Sequence, residues 1–147
     1  MRTEKIIDIE DRGKKLTFKV REMSATQLED WTMRAVLVLA GAGSDIPAGG
    51  GVEGIGKYLA EHGLAAIGAV DYAKAKPLLD EMLGCCYRVM DKMEERVTPE
   101  TADAYIGEVS TLFKLRLEAL KVNFSFFGNG GLSGSPEKAN TVRLSAR

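Results

Sequence analysis

The sequence has few of the residues on which metal and redox chemistry depend. Its 147 residues include a single histidine, His62, and its only cysteines are the adjacent pair Cys85 and Cys86. One histidine excludes a paired-histidine zinc site and any catalysis that needs two histidines. Neighbouring cysteines on a helix point in different directions, so we expect two buried, reduced thiols rather than a disulfide. We predict no metal and no cofactor.

Excess charge of either sign and long apolar runs are also missing. Twenty Lys and Arg residues balance 21 Asp and Glu residues, and no apolar run is long enough to cross a bilayer. Nucleic-acid binders need clustered positive charge to displace the counterions of the phosphate backbone, so we expect no nucleic-acid partner. The segment Met1–Lys5 leads into a strand-like pattern, so we expect no secretory signal. We therefore expect a cytoplasmic protein with no membrane partner.

Alternating apolar and polar residues predict an N-terminal β-hairpin over about residues 5–21. Ile7 to Ile9 and Leu16 to Val20 follow the period of half-buried strands, and Gly13 between them accepts positive φ. Two strands alone are marginal in water. The hairpin must therefore pack on helices or pair with another chain.

The first predicted helix has the clearest start signal in the sequence. Ser24 and Gln27 fit a capping box, and the apolar stripe after them favours a helix that ends near Gly41. The glycine-rich segment 41–51 reads as a loop, because so many glycines cost too much backbone entropy inside a regular element.

Further helices are predicted between the glycine-rich segment and about residue 127. Together with the first helix, they make four or five helices. The expected order is a short helix from Val52 to Glu61, one capped by Asp71, one with Pro77 in its first turn and Cys86 and Val89 on its apolar stripe, and the longest from Thr98 to Phe127. The acidic segment 91–96 reads as a helix end or linker. The fold class is thus α+β, mainly α, with one domain over residues 1–127 and a flexible tail over 128–147.

Two phosphate-loop patterns overlap in the glycine-rich segment. Gly49-x-Gly51-x-x-Gly54 matches a dinucleotide fingerprint, and Gly51 to Lys57 matches most of a nucleoside-triphosphate loop. Both motifs should follow a buried strand, whereas a capped helix and a polar loop come first here. Tyr58 also stands where Ser or Thr would hold magnesium. A small nucleotide-binding protein or enzyme is therefore kept only as an alternative.

The residues suited to acid–base or nucleophilic chemistry are few. His62, beside Gly63, is expected at a helix end, where it would interact with exposed carbonyls. A dyad of His62 with Cys85 or Cys86 is the enzymatic alternative. Burial of both thiols in an apolar pattern would leave them inert, so we predict no catalytic residue.

The second half of the longest predicted helix is apolar over more than half of its circumference. A second apolar row runs about 160° from the side of Phe113, although a surface helix needs only one stripe. Either the domain itself or another protein must cover this end, and both interpretations stay open. The candidate protein-binding residues are Leu115, Ala119, Val122, Phe124, Phe126 and Phe127.

Four segments resemble a known family, the small tail assembly chaperones encoded by tailed bacteriophages and prophages. The matching segments are Leu16–Ala25 followed by Trp31–Ala35, then Asp71–Leu83, and then Leu112–Lys121. They are core and capping patterns rather than a catalytic signature. The glycine-rich loop and the tail carry none of the resemblance.

The resemblance implies a non-enzymatic protein that binds the tape-measure protein, keeps this long helical chain soluble, and delivers it while tail tube subunits polymerise around it. Such chaperones are often made in a short form and a frameshift-extended form, and this chain would correspond to the short form. The tape-measure protein and the tail tube protein are thus the expected partners. A structural component that stays in the virion tail is the alternative. The hairpin edge and the apolar helix end also leave self-association open.

Overall fold

The structure, a computed structural model, describes residues 2–41, 43 and 51–128. The elements there are β1 (Glu4–Asp11), β2 (Lys14–Arg21), α1 (Ala25–Gly41), α2 (Gly51–Gly68), α3 (Tyr72–Leu83), β3 (Cys86–Met90), β4 (Met93–Arg96), α4 (Pro99–Ala102) and α5 (Val109–Gly128). The predicted α+β, mainly helical class is confirmed. Most of the predicted loop 41–51, and the predicted tail beyond Gly128, lie outside the described residues. No described helix combines the length and apolar character that a bilayer crossing requires.

The predicted N-terminal hairpin is present. β1 and β2 pair antiparallel from Glu4 with Arg21 to Asp11 with Lys14, so the turn contains two residues. Arg12 and Gly13 both adopt positive φ, 50° and 81°. This turn geometry matches the twist of the strands that it joins.

A second hairpin extends the sheet, and here the predicted helix through Cys86 and Val89 is wrong. β3 pairs with β2, with Cys86 opposite Val20, and β4 pairs with β3, so the strand order is β1-β2-β3-β4. The acidic segment 91–96 forms the turn and β4 rather than a helix end or linker. Short apolar runs fit both periods. Residues 86–90 form a strand because the tertiary fold places them beside the hydrogen-bonding edge of β2.

The boundaries of two middle helices also differ from those predicted. α2 continues to Gly68, past the predicted end at Glu61. A single helix, α3, replaces the two expected around Asp71 and Pro77, and Pro77 lies inside it rather than in the first turn of a new helix. Leu78 and Met82 are buried, and this burial holds the helix together across the lost backbone hydrogen bond.

The longest predicted helix is divided in two. Thr98 is the expected hydroxyl cap and forms a capping box with Thr101, but it caps only the four residues of α4, and α5 starts at Val109. At the start of α5, the buried side is not the side that carries Phe113. Val109 and Phe113 are 68% and 53% exposed, whereas Leu115 and Ala119 are fully buried.

The core lies between the sheet and the helices. Leu16, Phe18 and Val20 alternate along β2 as its buried face, and α5 contacts β1, β2, α2 and α3. The Trp31 indole N–H donates to the Leu78 carbonyl oxygen at 3.1 Å, and its ring centroid is 5.8 Å from that of Phe124. One connected cluster of buried side chains thus joins strands and helices.

Candidate functional site

Most of the sequence-predicted binding residues lie in the core. Leu115 and Ala119 are fully buried, Phe124 is 2% exposed and Val122 is 6% exposed. A partner cannot reach the first two in this conformation. The side chains of Phe126 and Phe127, at the end of α5, are outside what the structure describes.

An apolar groove opens between α1 and α2, with Phe124 of α5 at its base. Its volume is about 440 Å³. Helix α1 contributes most of the lining. The described lining residues are Ala25, Leu28, Glu29, Thr32, Met33, Val36, Ile55, Gly56 and Phe124. We call this feature the α1–α2 groove.

The spacing of the lining residues makes one wall of the groove continuous. Residues 25, 28, 29, 32, 33 and 36 recur every three or four positions, so they lie on one side of α1. At 1.5 Å per residue this row is about 17 Å long, or three helical turns. Met33, in the last turn of this row, is 57% exposed, and Leu37, one turn beyond Met33, is 68% exposed.

The polar groups of the groove are few. The Thr32 hydroxyl donates to the Leu28 carbonyl oxygen at 2.7 Å, within its own helix. Glu29 is the one lining carboxylate among the described residues, and no described Lys or Arg forms an ion pair with it. The groove thus presents apolar surface and a single negative charge.

Ion pairs next to the groove hold α1 in place. Arg34 donates from both terminal nitrogens to the Glu81 carboxylate of α3, at 2.6 and 2.7 Å, and its Nε donates to Asp30 at 2.9 Å. Such a two-point contact fixes orientation as well as distance. Helix α1 is therefore attached to α3 by charge, while its groove-lining row keeps exposed apolar side chains.

The groups considered for catalysis are not brought into a reactive arrangement. His62 is an exposed residue inside α2, and its ring centroid is 5.5 Å from that of Tyr58, so the predicted helix-end position is wrong. Both thiols are buried as expected. Burial raises the pKa of Cys85 and of Cys86, which suppresses the reactive thiolate form. Across the described ranges there is no group of three or more His, Cys, Asp or Glu residues that would hold a metal ion.

The two glycine-rich motifs overlap the start of α2. Gly51 begins α2, and the element that precedes it in the described chain is helix α1 rather than a strand. A phosphate loop of either type depends on a strand, a glycine turn and a helix in succession. The arrangement around Gly51 does not have that order. Gly49 and Gly50 lie outside the described residues.

The groove residues of α1 and α2 were not predicted as a site. Met33, Val36 and Ile55 are not among the predicted binding residues. The apolar stripe predicted for α1 contains Trp31 and Ala35, which face the core. A signal for them existed. Met33, Val36 and Leu37 are apolar but lie off that stripe. Helix α1 therefore has more apolar surface than one stripe provides, as α5 also has.

A family model described as phage tail assembly chaperone protein, TAC, matches residues 14–134, which is most of the chain. No curated protein sequence and no solved structure matches.

Proposed function

The chain belongs to the phage tail assembly chaperone family, and from this premise we propose that it binds the tape-measure protein of its phage through the α1–α2 groove. In this proposal it acts in the cytoplasm of the bacterial host and catalyses no reaction. The tail tube protein is the second proposed partner, met when tube subunits assemble around the delivered tape-measure chain.

The observation that carries the proposal is the exposed apolar wall of the groove. A monomeric domain gains nothing by exposing Met33 beside Val36 and Leu28, whereas an amphipathic helix of a partner would bury all three. Helix-in-groove binding uses apolar side chains spaced three and four apart, the same spacing that α1 presents. A tape-measure protein, as a long helical chain with apolar faces, is a partner of this kind.

The sequence-predicted binding residues enter the proposal in different roles. Phe124 forms the base of the groove, so a partner would contact the edge of its ring. Phe126 and Phe127 are proposed to extend the apolar surface at the end of α5. Leu115, Ala119 and Val122 lie in the core and are not proposed to contact the partner.

Co-expression of the full chain with the tape-measure protein of the same phage tests the proposal. Wild type should keep the tape-measure protein in the soluble fraction. Met33→Asp should lose this effect, because a charge in the apolar wall would have to be desolvated on binding. The matched control is Met93→Asp, since Met93 is 66% exposed and lies on β4, outside the groove lining. Far-UV circular dichroism should be unchanged for both variants.

The proposal fails if Met33→Asp keeps the tape-measure protein as soluble as wild type does. For the end of α5, Phe126→Ser should reduce solubilisation while the isolated protein stays folded. If Phe126→Ser only unfolds the isolated protein, this residue belongs to the core and not to the binding surface.

A virion component is distinguished by the composition of the finished particle. A chaperone that delivers its partner and leaves should be absent from purified virions when these are examined by mass spectrometry. Recovery of the chain at one or more copies per tail would favour a structural role instead.

A further inference from the structure

We infer that the α1–α2 groove selects a helical segment that carries a Lys or Arg beside its apolar stripe, with this residue paired to Glu29. The inference rests on the proposed function and adds to it the chemistry of the bound segment. It follows from the length of the groove, its apolar lining and the one charge that it presents.

The length of the groove sets the size of the occupant. The lining row of α1 spans about three helical turns. A partner helix that lies along it would be about 11 residues long and would present apolar side chains three and four positions apart. A segment of this size is a small part of a long helical protein, which would offer several such segments.

The carboxylate of Glu29 determines which charge is favoured on the bound helix. Glu29 lies in the same row as Leu28, Thr32 and Met33, so a helix packed on that row would cover the surface beside its carboxylate. Covering a charge without a partner costs free energy, and a nearby cation reduces that cost. No Lys or Arg is among the described lining residues, and in this inference the cation comes from the partner.

Three helical peptides test the preference. Each has the same Leu stripe over about three turns, and they differ only in the residue beside the stripe, which is Lys, Gln or Glu. Fluorescence anisotropy at low ionic strength would measure the binding of each labelled peptide to the full chain. The Lys peptide should bind about tenfold more tightly than the Glu peptide, because attraction and repulsion at one partly exposed charge each contribute up to about a fivefold change.

Substitution of the carboxylate gives the internal control. Glu29→Gln should bring the ratio of the two dissociation constants close to one, and Glu29→Lys should reverse it. Glu100→Gln is the matched control, since Glu100 is also exposed and lies on α4 outside the groove lining; it should leave the ratio unchanged. Raising the salt concentration should reduce the ratio in wild type through screening.

The outcomes separate this inference from the proposed function. Equal binding of the three peptides to wild type would overturn the charge preference, while loss of tape-measure solubilisation in Met33→Asp would still support the groove as the binding site. If the charge preference holds but wild type fails to keep the tape-measure protein soluble, the proposed function fails and the inference about the groove stands.

Other occupants of the groove would also overturn the inference. If the full chain dimerises in size-exclusion chromatography and Met33→Asp makes it monomeric, a second copy fills the groove. If Met33→Asp shifts the NMR resonances of residues 129–147 in the absence of peptide, the C-terminal segment of the same chain fills it. With neither effect, the groove is open to a partner.

Discussion

Asp11 connects the tip of the first hairpin to the start of α5. Its carboxylate is 3% exposed and accepts hydrogen bonds from the Gly107 and Glu108 amides at 2.9 and 3.1 Å and from the Thr111 hydroxyl at 2.7 Å. The Arg12 amide in turn donates to the Glu108 carboxylate at 2.6 Å. Amides at a helix start lack partners within the helix, so a side chain from 100 residues away in sequence completes the start of α5.

Asp11→Asn is expected to destabilise the protein. The asparagine amide would place a donor where the carboxylate accepts from donors, which leaves buried groups unsatisfied at a cost of about 1–3 kcal/mol. Urea denaturation followed by circular dichroism measures the change in the free energy of unfolding. Asp8→Asn is the control, because Asp8 lies on the exposed side of β1 and should cost under about 0.5 kcal/mol. Equal effects of the two substitutions would contradict the role given to Asp11.

The same carboxylate makes stability depend on pH. Burial alone would raise the pKa of Asp11, but hydrogen bonds from Thr111, Gly107 and Glu108 outweigh it and hold the pKa below its usual value. A folded-state pKa below the unfolded value of about 3.9 stabilises the protein above that pH, and this contribution is lost as the pH falls through the folded-state pKa. The free energy of unfolding should therefore decline on acidification less steeply in Asp11→Asn than in wild type. Parallel pH profiles would contradict this account.

The sequence predicted some of these single-residue roles and not others. Ser24 caps α1 as expected, and its hydroxyl oxygen accepts from the Gln27 amide at 3.3 Å. Local spacing was enough, because cap and helix are neighbours in the chain. The role of Asp11 was not predicted. It reads as an ordinary turn residue until the hairpin and α5 meet in space.

The packing of α2 against α5 can be tested by a single substitution at Gly63. Gly63 is a buried residue inside α2, and a Cβ at that position would meet Leu59 and Leu120 at 3.5–3.6 Å, which is normal van der Waals contact. The glycine therefore carries the entropic cost of its flexibility in a place that has room for a methyl group.

Gly63→Ala should stabilise the protein by about 0.5–1 kcal/mol, because alanine restricts the unfolded chain and favours the helix. Thermal unfolding followed by circular dichroism would show a higher melting temperature. Gly63→Leu provides the contrast, since a larger side chain would push α2 away from α5 and lower the melting temperature. A destabilising effect of alanine would show that the two helices pack more tightly than these distances indicate.

Secondary structure could be predicted where a local signal and the tertiary surroundings agree. The first hairpin and α1 satisfy both conditions. Cys86 to Met90 does not, since its apolar residues fit helical spacing until β2 offers a strand edge. The split between α4 and α5 has a similar cause. Tyr105 and Ile106 follow the apolar period of a helix, but they lie in the connection that ends at the amides bound by Asp11.

At the scale of the whole molecule, one connected core is expected to make unfolding cooperative. Trp31, the only tryptophan, is fully buried and belongs to the same cluster as residues of the sheet and of α2, α3 and α5. Urea unfolding followed by Trp31 fluorescence and by far-UV circular dichroism should therefore give coincident transitions. Separate transitions would show that the hairpins and the helices unfold as independent units and would contradict the predicted single domain.

The fold class, the first hairpin and α1 follow from the amino-acid sequence alone. These depend on composition, on periodicity and on caps that lie a few residues apart, so they can be read without knowledge of the tertiary contacts. Membership of the phage tail assembly chaperone family was suggested by core and capping segments and is shown by the match over residues 14–134.

Tertiary packing sets which of the apolar surfaces is covered. The row Leu115, Ala119 and Val122 could have faced a partner, but α5 turns it into the core, whereas Met33 beside Glu29 on α1 stays open to solvent. A helix can be recognised as having two apolar sides from its own residues. Which side is buried depends on the elements that pack against it, and these come from distant parts of the chain.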